Sequence, residues 1–274
     1  MTLPSAKTLR DLYEPTGGVG QIFGPKVADY MASRPDYPRA MIELLRTECG
    51  LSAETTVADV GAGTGLLTRS LLQTGASVIA VEPNAAMRGA CDHDLQSQPS
   101  YRSVEGSAEA MPLQDGSVDL ITAAQAFHWF DVERARAECL RVLRAAGQVA
   151  LIWNDRLLGD PLHVALDDVF AEYGREKRAA LLAHEDRGNV PQFFGAGRLQ
   201  TFDWPHEHVL SQDGLLGLVF SRSYMPTRES PPGQRVAAGV RAIFDALATD
   251  ERIVVRYTTV LMLGRPQSGQ TGQG

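Results

Sequence analysis

The chain has 274 residues, 44% of them hydrophobic, a formal net charge of −7 and three cysteines. That length suits one large domain or a domain carrying an insert. The acidic balance, with no run of Lys or Arg, speaks against nucleic acid, whose phosphates call for a basic face, and no stretch approaches the roughly 18 to 20 apolar residues of a membrane span.

Cys49, Cys91 and Cys139 are scattered and odd in number. They fit neither a disulfide framework nor a metal cluster, and read as small buried thiols on helices. Residues 1–11 lack the apolar core of a signal peptide. A reducing cytoplasm and no metal site are the expectations.

In chain order, residues 1–20 carry Pro4, Pro15 and Gly17-Gly18 and read as a loose arm. Residues 21–33 read as a helix with Ile22, Phe23, Val27, Tyr30 and Met31 on its apolar side, followed by the turn Arg34-Pro-Asp-Tyr-Pro38, whose prolines fix φ. Arg39 to Cys49 is amphipathic, with Met41, Leu44 and Leu45 at helical spacing and Gly50 as its stop. From residue 55, strands (56–60, 77–82, 101–105, 118–124, 148–153) alternate with helices (66–73, 84–96, 132–145), the signature of a parallel sheet. Asp131 stands where an N-cap belongs and Gly147 just past the last helix.

Beyond Trp153-Asn154 the texture changes. Residues 155–198 are charged and helical in pattern, and Leu199 to Leu210 alternates as a strand. Residues 211–224 read as a helix, Ser230-Pro-Pro-Gly as a break and 235–248 as a helix. Residues 252–263 form a β-rich run expected to complete the sheet antiparallel to 199–210. The expected organisation is an arm (1–20), a nucleotide-binding domain with an N-terminal lid helix (21–154), a helical cap with one returning strand (155–250), a final strand (251–266) and a disordered Gln/Gly/Ser tail (267–274).

The other elements are organised around Val57-Ala-Asp-Val-Gly-Ala-Gly-Thr-Gly-Leu66. A buried strand runs into a glycine turn and then a helix, whose free N–H groups face whatever lies over the turn. A dinucleotide fingerprint needs its third glycine where Leu66 stands. Asp59, just before the turn, disfavours a pyrophosphate and suits a cationic or amino-bearing ligand. Glu82 ends the second strand, at about the 20-residue offset from which an acid reaches ribose hydroxyls. In an open α/β sheet the ligand lies beyond the carboxyl ends of the strands, which brings together Asp59–Gly65, Glu82–Asn84, Gly106–Glu109 and Ala124–Phe130.

Asp59-x-Gly61-x-Gly63-x-Gly65 with Glu82 resembles the class I S-adenosylmethionine (SAM)-dependent methyltransferases, and the resemblance extends over residues 20–265. Gly106-Ser-Ala-Glu-Ala-Met-Pro-Leu113 and Asp115-Gly-Ser-Val-Asp119 resemble the family's third motif and fourth strand. Tyr30-x-x-x-Arg34-Pro-x-Tyr37-Pro38, Ala124-Gln-Ala-Phe-His-Trp-Phe-Asp131 and Ser221-Arg-Ser-Tyr-Met-Pro226 are similar to the ubiquinone and trans-aconitate branch. The resemblance implies a doubly wound α/β fold with a helical cap, SAM as cofactor and a small-molecule acceptor. It implies cofactor contacts from Tyr30, Arg34, Asp59, Gly61, Ala62, Gly63, Gly65, Glu82, Pro83, Met87, Ser107, Ala108 and Gln125. Many relatives carry Asp where this chain has Ser107. Phe127, His128, Trp129, Trp153, Arg222 and Tyr224 are the implied acceptor residues, with His128 as candidate base.

Each residue also has a plainer reading. Glu82 can be a solvated strand-end acid, and Asp59 can brace the turn's N–H groups as well as meet the ligand's amine. Arg34 either forks onto the methionine carboxylate or lies on the surface. Phe127, Trp129 and Phe130 either line the methyl-donor pocket or are core. His128 is a base or a packing residue. His206 and His208 read as surface, and His163 and His184 point to nothing specific. Three other functions share these features: a nicotinamide oxidoreductase, a SAM-binding regulator without turnover, and an enzyme that cyclises or cleaves SAM.

Overall fold

The computed structural model describes residues 26–185 and 187–267. The arm over 1–20, Ile22 and Phe23 of the lid helix, the side chain of His184 and the tail beyond 267 lie outside the described residues.

Seven strands form one sheet: β1 (Thr56–Val60), β2 (Ser77–Val81), β3 (Tyr101–Val104), β4 (Val118–Ala124), β5 (Leu143–Arg156), β6 (Leu199–Leu210) and β7 (Ile253–Gly264), in the order β3-β2-β1-β4-β5-β7-β6. The first five run parallel, and β7 is antiparallel between β5 and β6. The parallel strands are apolar on both faces because both are covered. Val57, Leu120, Ala150 and Ile152 point to one face, against Met41 and Leu45 of α2 (Arg39–Glu48) and Leu67 and Leu71 of α3 (Leu66–Leu72). Their neighbours Ala58, Ile121 and Leu151 point to the other, against Ala135, Cys139 and Val142 of α5 (Val132–Val142) and Phe193 and Phe194 of α7 (Val190–Phe194). α4 (Ala85–Leu95) packs Cys91 and Leu95 on Ala80.

The helical cap comes in two pieces. α6 (Pro161–Glu185) and α7 lie between β5 and β6, while α8 (Gln212–Phe220) and α9 (Pro231–Leu247) lie between β6 and β7. α6, α8 and α9 share a second core with Leu210, Ile253, Val255 and Tyr257, on the parts of β6 and β7 that overrun the parallel strands. α1 (Val27–Ser33) is docked on this cap. Lys26 Nζ donates to the carbonyls of Phe220 (2.8 Å) and Met225 (2.9 Å), and Asp29 pairs with Arg228. Ser33 lies so close to Gly217 that a Cβ there would stand 2.0 Å from its hydroxyl. No helix among the described residues is long and apolar enough to cross a membrane.

Three local expectations need correction. The helix expected to reach 145 ends at Val142, and the chain enters β5 at once. Gly147 is therefore not a helix stop. It lies in a bulged stretch where the ladder passes from Leu143 opposite Val118 to Gln148 opposite Leu120, and a Cβ would stand 2.7 Å from Leu143 Cδ2. Ser230-Pro-Pro is a start, not a break. The Ser230 hydroxyl accepts from Gly233 N–H (3.1 Å), and prolines suit a first turn, whose N–H groups have no intrahelical partner. The helix expected over 211–224 stops at Phe220, where Lys26 takes its terminal carbonyl.

Candidate active site

The glycine turn leaves β1 with Gly61, Gly63 and Gly65 at φ of 70°, 58° and 84°, a region that side chains disfavour. Gly61 N–H donates to the Val81 carbonyl (2.8 Å), pinning the turn to the end of β2. Glu82, 7% exposed, completes the brace: Oε2 accepts from Gly63 N–H (2.9 Å) and Oε1 from Asn84 N–H (2.8 Å). A carboxylate has about four acceptor positions, so these two bonds leave room for hydroxyl groups.

Two features mark this turn as a cradle for a polar ligand. A Cβ on Gly63 would meet nothing within 4 Å. The buried Thr64 hydroxyl has no hydrogen-bond partner among the described residues.

Asp59 stands differently from its expectation. Its carboxylate is 1% exposed and accepts from the hydroxyls of Thr68 (2.6 Å) and Thr122 (2.8 Å), not from the N–H groups of the turn. It ties β1 to α3 and β4, and bracing of the turn falls to Glu82. Burial raises the Asp59 carboxyl above its ordinary value of 3.8, against the two threonine bonds, and raises Glu82 above 4.5 against its backbone bonds. A carboxyl whose native value is raised holds its proton more tightly folded than unfolded. Its stabilising contribution is complete below the unfolded value and is lost as pH climbs through the native one. Relative to Asp59→Asn, the wild type should therefore lose stability as pH rises above the ordinary carboxyl range. Urea unfolding of both proteins over that rise checks it, and a difference that stays flat or grows would contradict the assignment.

The other candidate cofactor residues flank the cradle. Pro83 is exposed, Asn84 caps α4 through the N–H groups of Ala86 and Met87, and Met87 and Ala108 are buried. Ser107 is held in a tight turn by paired backbone bonds with Ala110 (3.2 and 3.1 Å).

Beside the cradle opens a cavity of about 470 Å³. It brings together Tyr30 and Arg34 from the lid, Gln125, His128 and Trp129 after β4, Trp153 from β5, and Arg222 and Tyr224 from the cap, with Leu66 at the glycine turn. Arg34 does not lie on the surface. Its Nε donates to the Ser221 hydroxyl (2.8 Å) and Nη2 to the Ser221 carbonyl, with its guanidinium 4.9 Å over the Tyr30 ring. Gln125 has φ of +54°, uncommon for a side-chain-bearing residue, and donates to the Asn154 carbonyl (3.3 Å).

Phe127 is not part of this cavity. The 3₁₀ turn Phe127–Trp129 sends its ring into the core, edge-on to Phe130 (5.7 Å), Trp153 (6.2 Å) and Phe193 (5.3 Å). Phe130 is buried in the same core, while His128 and Trp129 face the cavity. His206 and His208, read as surface, are half-buried on the inner side of β6, where period-2 alternation places them with Phe202 and Trp204.

Several residues that line the cavity are not among the candidate site residues: Tyr37, which stands in the lid motif, Asp155, Arg156, Leu181, Leu182, Arg187 and Tyr257. Arg187 Nη2 bonds both oxygens of Asp155 (2.6 and 2.5 Å) and lies 4.4 Å over the Trp153 ring. Tyr257 is 6% exposed; burial raises its phenol, and Arg222, Arg34 and Arg156 pull it back.

A doubly wound sheet with a glycine turn after β1, an acid after β2 and a capped cavity beyond β4 is the architecture of the class I SAM-dependent methyltransferases. The family model for a methyltransferase domain matches residues 58–151. An uncharacterized methyltransferase of Mycobacterium tuberculosis is 35% identical over 243 residues, 87% of this chain and 93% of its own length. One from Schizosaccharomyces pombe is 40% identical over 139 residues, 50% of this chain and 54% of its own. Among solved structures, a candidate type II methyltransferase of Anaeromyxobacter dehalogenans superposes with a TM-score of 0.58 at 25% identity, over 86% of this chain and 99% of its own. The chain belongs to this family of SAM-dependent methyltransferases.

Proposed function

We propose that this enzyme binds SAM in the glycine cradle and transfers its methyl group, by in-line displacement, to a small molecule enclosed in the cavity. The observation that carries this reading is the junction of the two spaces. Leu66, the first residue of the helix over which the cradle opens, and Gln125, at the end of β4, both line the acceptor cavity. A cavity of about 470 Å³ falls in the size range of small-molecule sites, and the lid and cap that roof it suit a small acceptor better than nucleic acid or a membrane. Three free cysteines suit a reducing cytoplasm.

SAM, when bound, supplies a methyl group already activated by its positive sulfur. The chain's own residues then have three tasks. Glu82 accepts the ribose hydroxyls with its remaining lone pairs, and Arg34, seated on Tyr30, meets the methionine carboxylate. The face of Trp129 favours a sulfonium. The lid and cap exclude water while nucleophile, methyl and sulfur are held in line. Where the acceptor must lose a proton, His128, which lines the cavity, takes it.

Glu82→Ala should weaken SAM binding by about 1–3 kcal/mol, because it removes both the ribose acceptor and the brace on Gly63; unchanged affinity by calorimetry would remove Glu82 from the site. The same calorimetry tests the cofactor. SAM and S-adenosylhomocysteine should bind and NAD should not, and tight NAD binding with none for SAM would contradict the reading.

A further inference from the structure

Both ends of the lid helix are clamped to the end of one cap helix. Lys26, the N-cap of α1, donates through Nζ to the carbonyls of Phe220 and Met225. Arg34, its C-cap, donates through Nε to the Ser221 hydroxyl (2.8 Å) and through Nη2 to the Ser221 carbonyl (3.3 Å). Phe220 is the last residue of α8 and Ser221 its C-cap. The last carbonyls of a helix have no intrahelical partner and carry the negative end of its dipole, so they suit cations. The lid supplies two. Beyond Arg34 the main chain is held from elsewhere: Asn154 Nδ2 donates to the Asp36 carbonyl (3.2 Å), while Asn154 Oδ1 accepts from Thr259 of β7 (2.6 Å). The backbone of the lid turn is thus tied to the sheet, and the Arg34 guanidinium is tied to the cap.

Ser221 fixes the orientation of that guanidinium as well as its place. The residue is fully buried. A hydroxyl has one proton and two lone pairs. The Ser221 proton goes to the Leu218 carbonyl (2.8 Å), so its oxygen faces Arg34 as an acceptor and cannot exchange roles. Its two bonds take the side-on edge of the guanidinium, Nε with Nη2. An arginine has five N–H donors, and the edge formed by Nη1 and the second hydrogen of Nη2 is not used by Ser221. That edge can fork onto a carboxylate, and Arg34 lines the cavity. A long side chain left to itself loses rotamer freedom when a ligand orders it, which weakens binding. Ser221 imposes the order beforehand.

Resting on the reading above that Arg34 meets the methionine carboxylate of SAM, we infer that Ser221 is a positioning residue for the cofactor. It acts through Arg34, holding the guanidinium so that its Nη1–Nη2 edge is presented for that carboxylate. The grip on the cofactor's amino-acid end is therefore set by the cap and not by the sheet that carries the glycine turn. The cap segment that provides this hold also walls the cavity, because Arg222 and Tyr224 line it.

The test is calorimetry on the full-length protein with two probes, S-adenosylhomocysteine and methylthioadenosine. Both carry the adenosine and the sulfur, and only the first carries the amino-acid end. Ser221→Ala should weaken S-adenosylhomocysteine binding roughly tenfold, the scale of one hydrogen bond to a charged group, and leave methylthioadenosine within about twofold. In an Arg34→Ala background the same substitution should cause no further loss, because the group it acts through is gone. Ser221→Cys fills the buried site with a weak acceptor and should show the same selective loss, so the result does not depend on the alanine variant folding. A packing role would weaken both probes alike. Equal loss for the two probes, a loss that persists without Arg34, full S-adenosylhomocysteine affinity in Arg34→Ala, or unchanged affinity in both Ser221 variants would overturn the inference and leave the SAM-binding reading standing. A wild type that binds neither SAM nor S-adenosylhomocysteine would remove that reading and the inference with it.

Discussion

Gly65→Ala is expected to destabilise the fold by about 2–4 kcal/mol and to abolish measurable SAM binding, whereas Gly63→Ala costs about 1–2 kcal/mol of stability and acts mainly on the ligand. Both glycines have positive φ, 84° and 58°, so both variants pay for a left-handed side-chain-bearing residue. They differ in what the new methyl meets. At Gly65 a Cβ would stand 2.6 Å from Cys91 Sγ and 3.0 Å from Leu95 Cδ1, buried groups of α4. Either α4 shifts or the turn opens, and α3 starts from a displaced residue. At Gly63 a Cβ would meet nothing within 4 Å, so the methyl occupies the open space of the cradle. Denaturant unfolding with calorimetry on each variant separates the two effects. Full SAM affinity in Gly63→Ala would show that the ligand does not approach the main chain there.

His128→Gln is expected to lower turnover by about 10²–10⁴-fold with little change in SAM affinity, the pattern of a lost general base. The imidazole lies in the 3₁₀ turn Phe127–Trp129 after β4, 5.0 Å from the Trp129 ring, and lines the cavity with Gln125. Glutamine keeps comparable size and a hydrogen-bonding group but cannot titrate near neutrality. The variant should lose the limb of the pH–rate profile that an imidazole contributes. A packing role predicts another outcome, in which stability, SAM affinity and turnover fall together.

What could be read from the sequence was what the backbone demands locally. Alternate glycines after an apolar run demand a tight turn, and an acid at the end of the next strand follows from the βαβ unit, so Gly61, Gly63, Gly65 and Glu82 were legible. Asp59 was legible as the acid at the foot of the turn but not in its bonding, because its partner Thr122 is 63 positions away across the β1–β4 pair. Phe127 illustrates a different limit. In a one-turn 3₁₀ segment no periodicity tells which of three aromatic rings enters the core. Arg156 and Tyr257 were hidden by topology. They meet only because β7 inserts antiparallel beside an overlong β5, a pairing between residues about a hundred positions apart. Arg187 reaches the cavity from the segment after α6, by stacking on Trp153, and no motif at its own position announces that contact. Gly147 and Ser230 were misread because glycine and proline punctuate bulges and first turns as well as helix ends and breaks.

The most direct test of the account is a mass spectrum of what the full-length protein makes from SAM, with and without small-molecule cell extract. Methyl transfer predicts S-adenosylhomocysteine, formed only when extract is present and matched by a product heavier by one methyl group. Methylthioadenosine as the main product above the non-enzymatic background, appearing without any acceptor, would contradict it and would make this a site that cyclises or cleaves SAM.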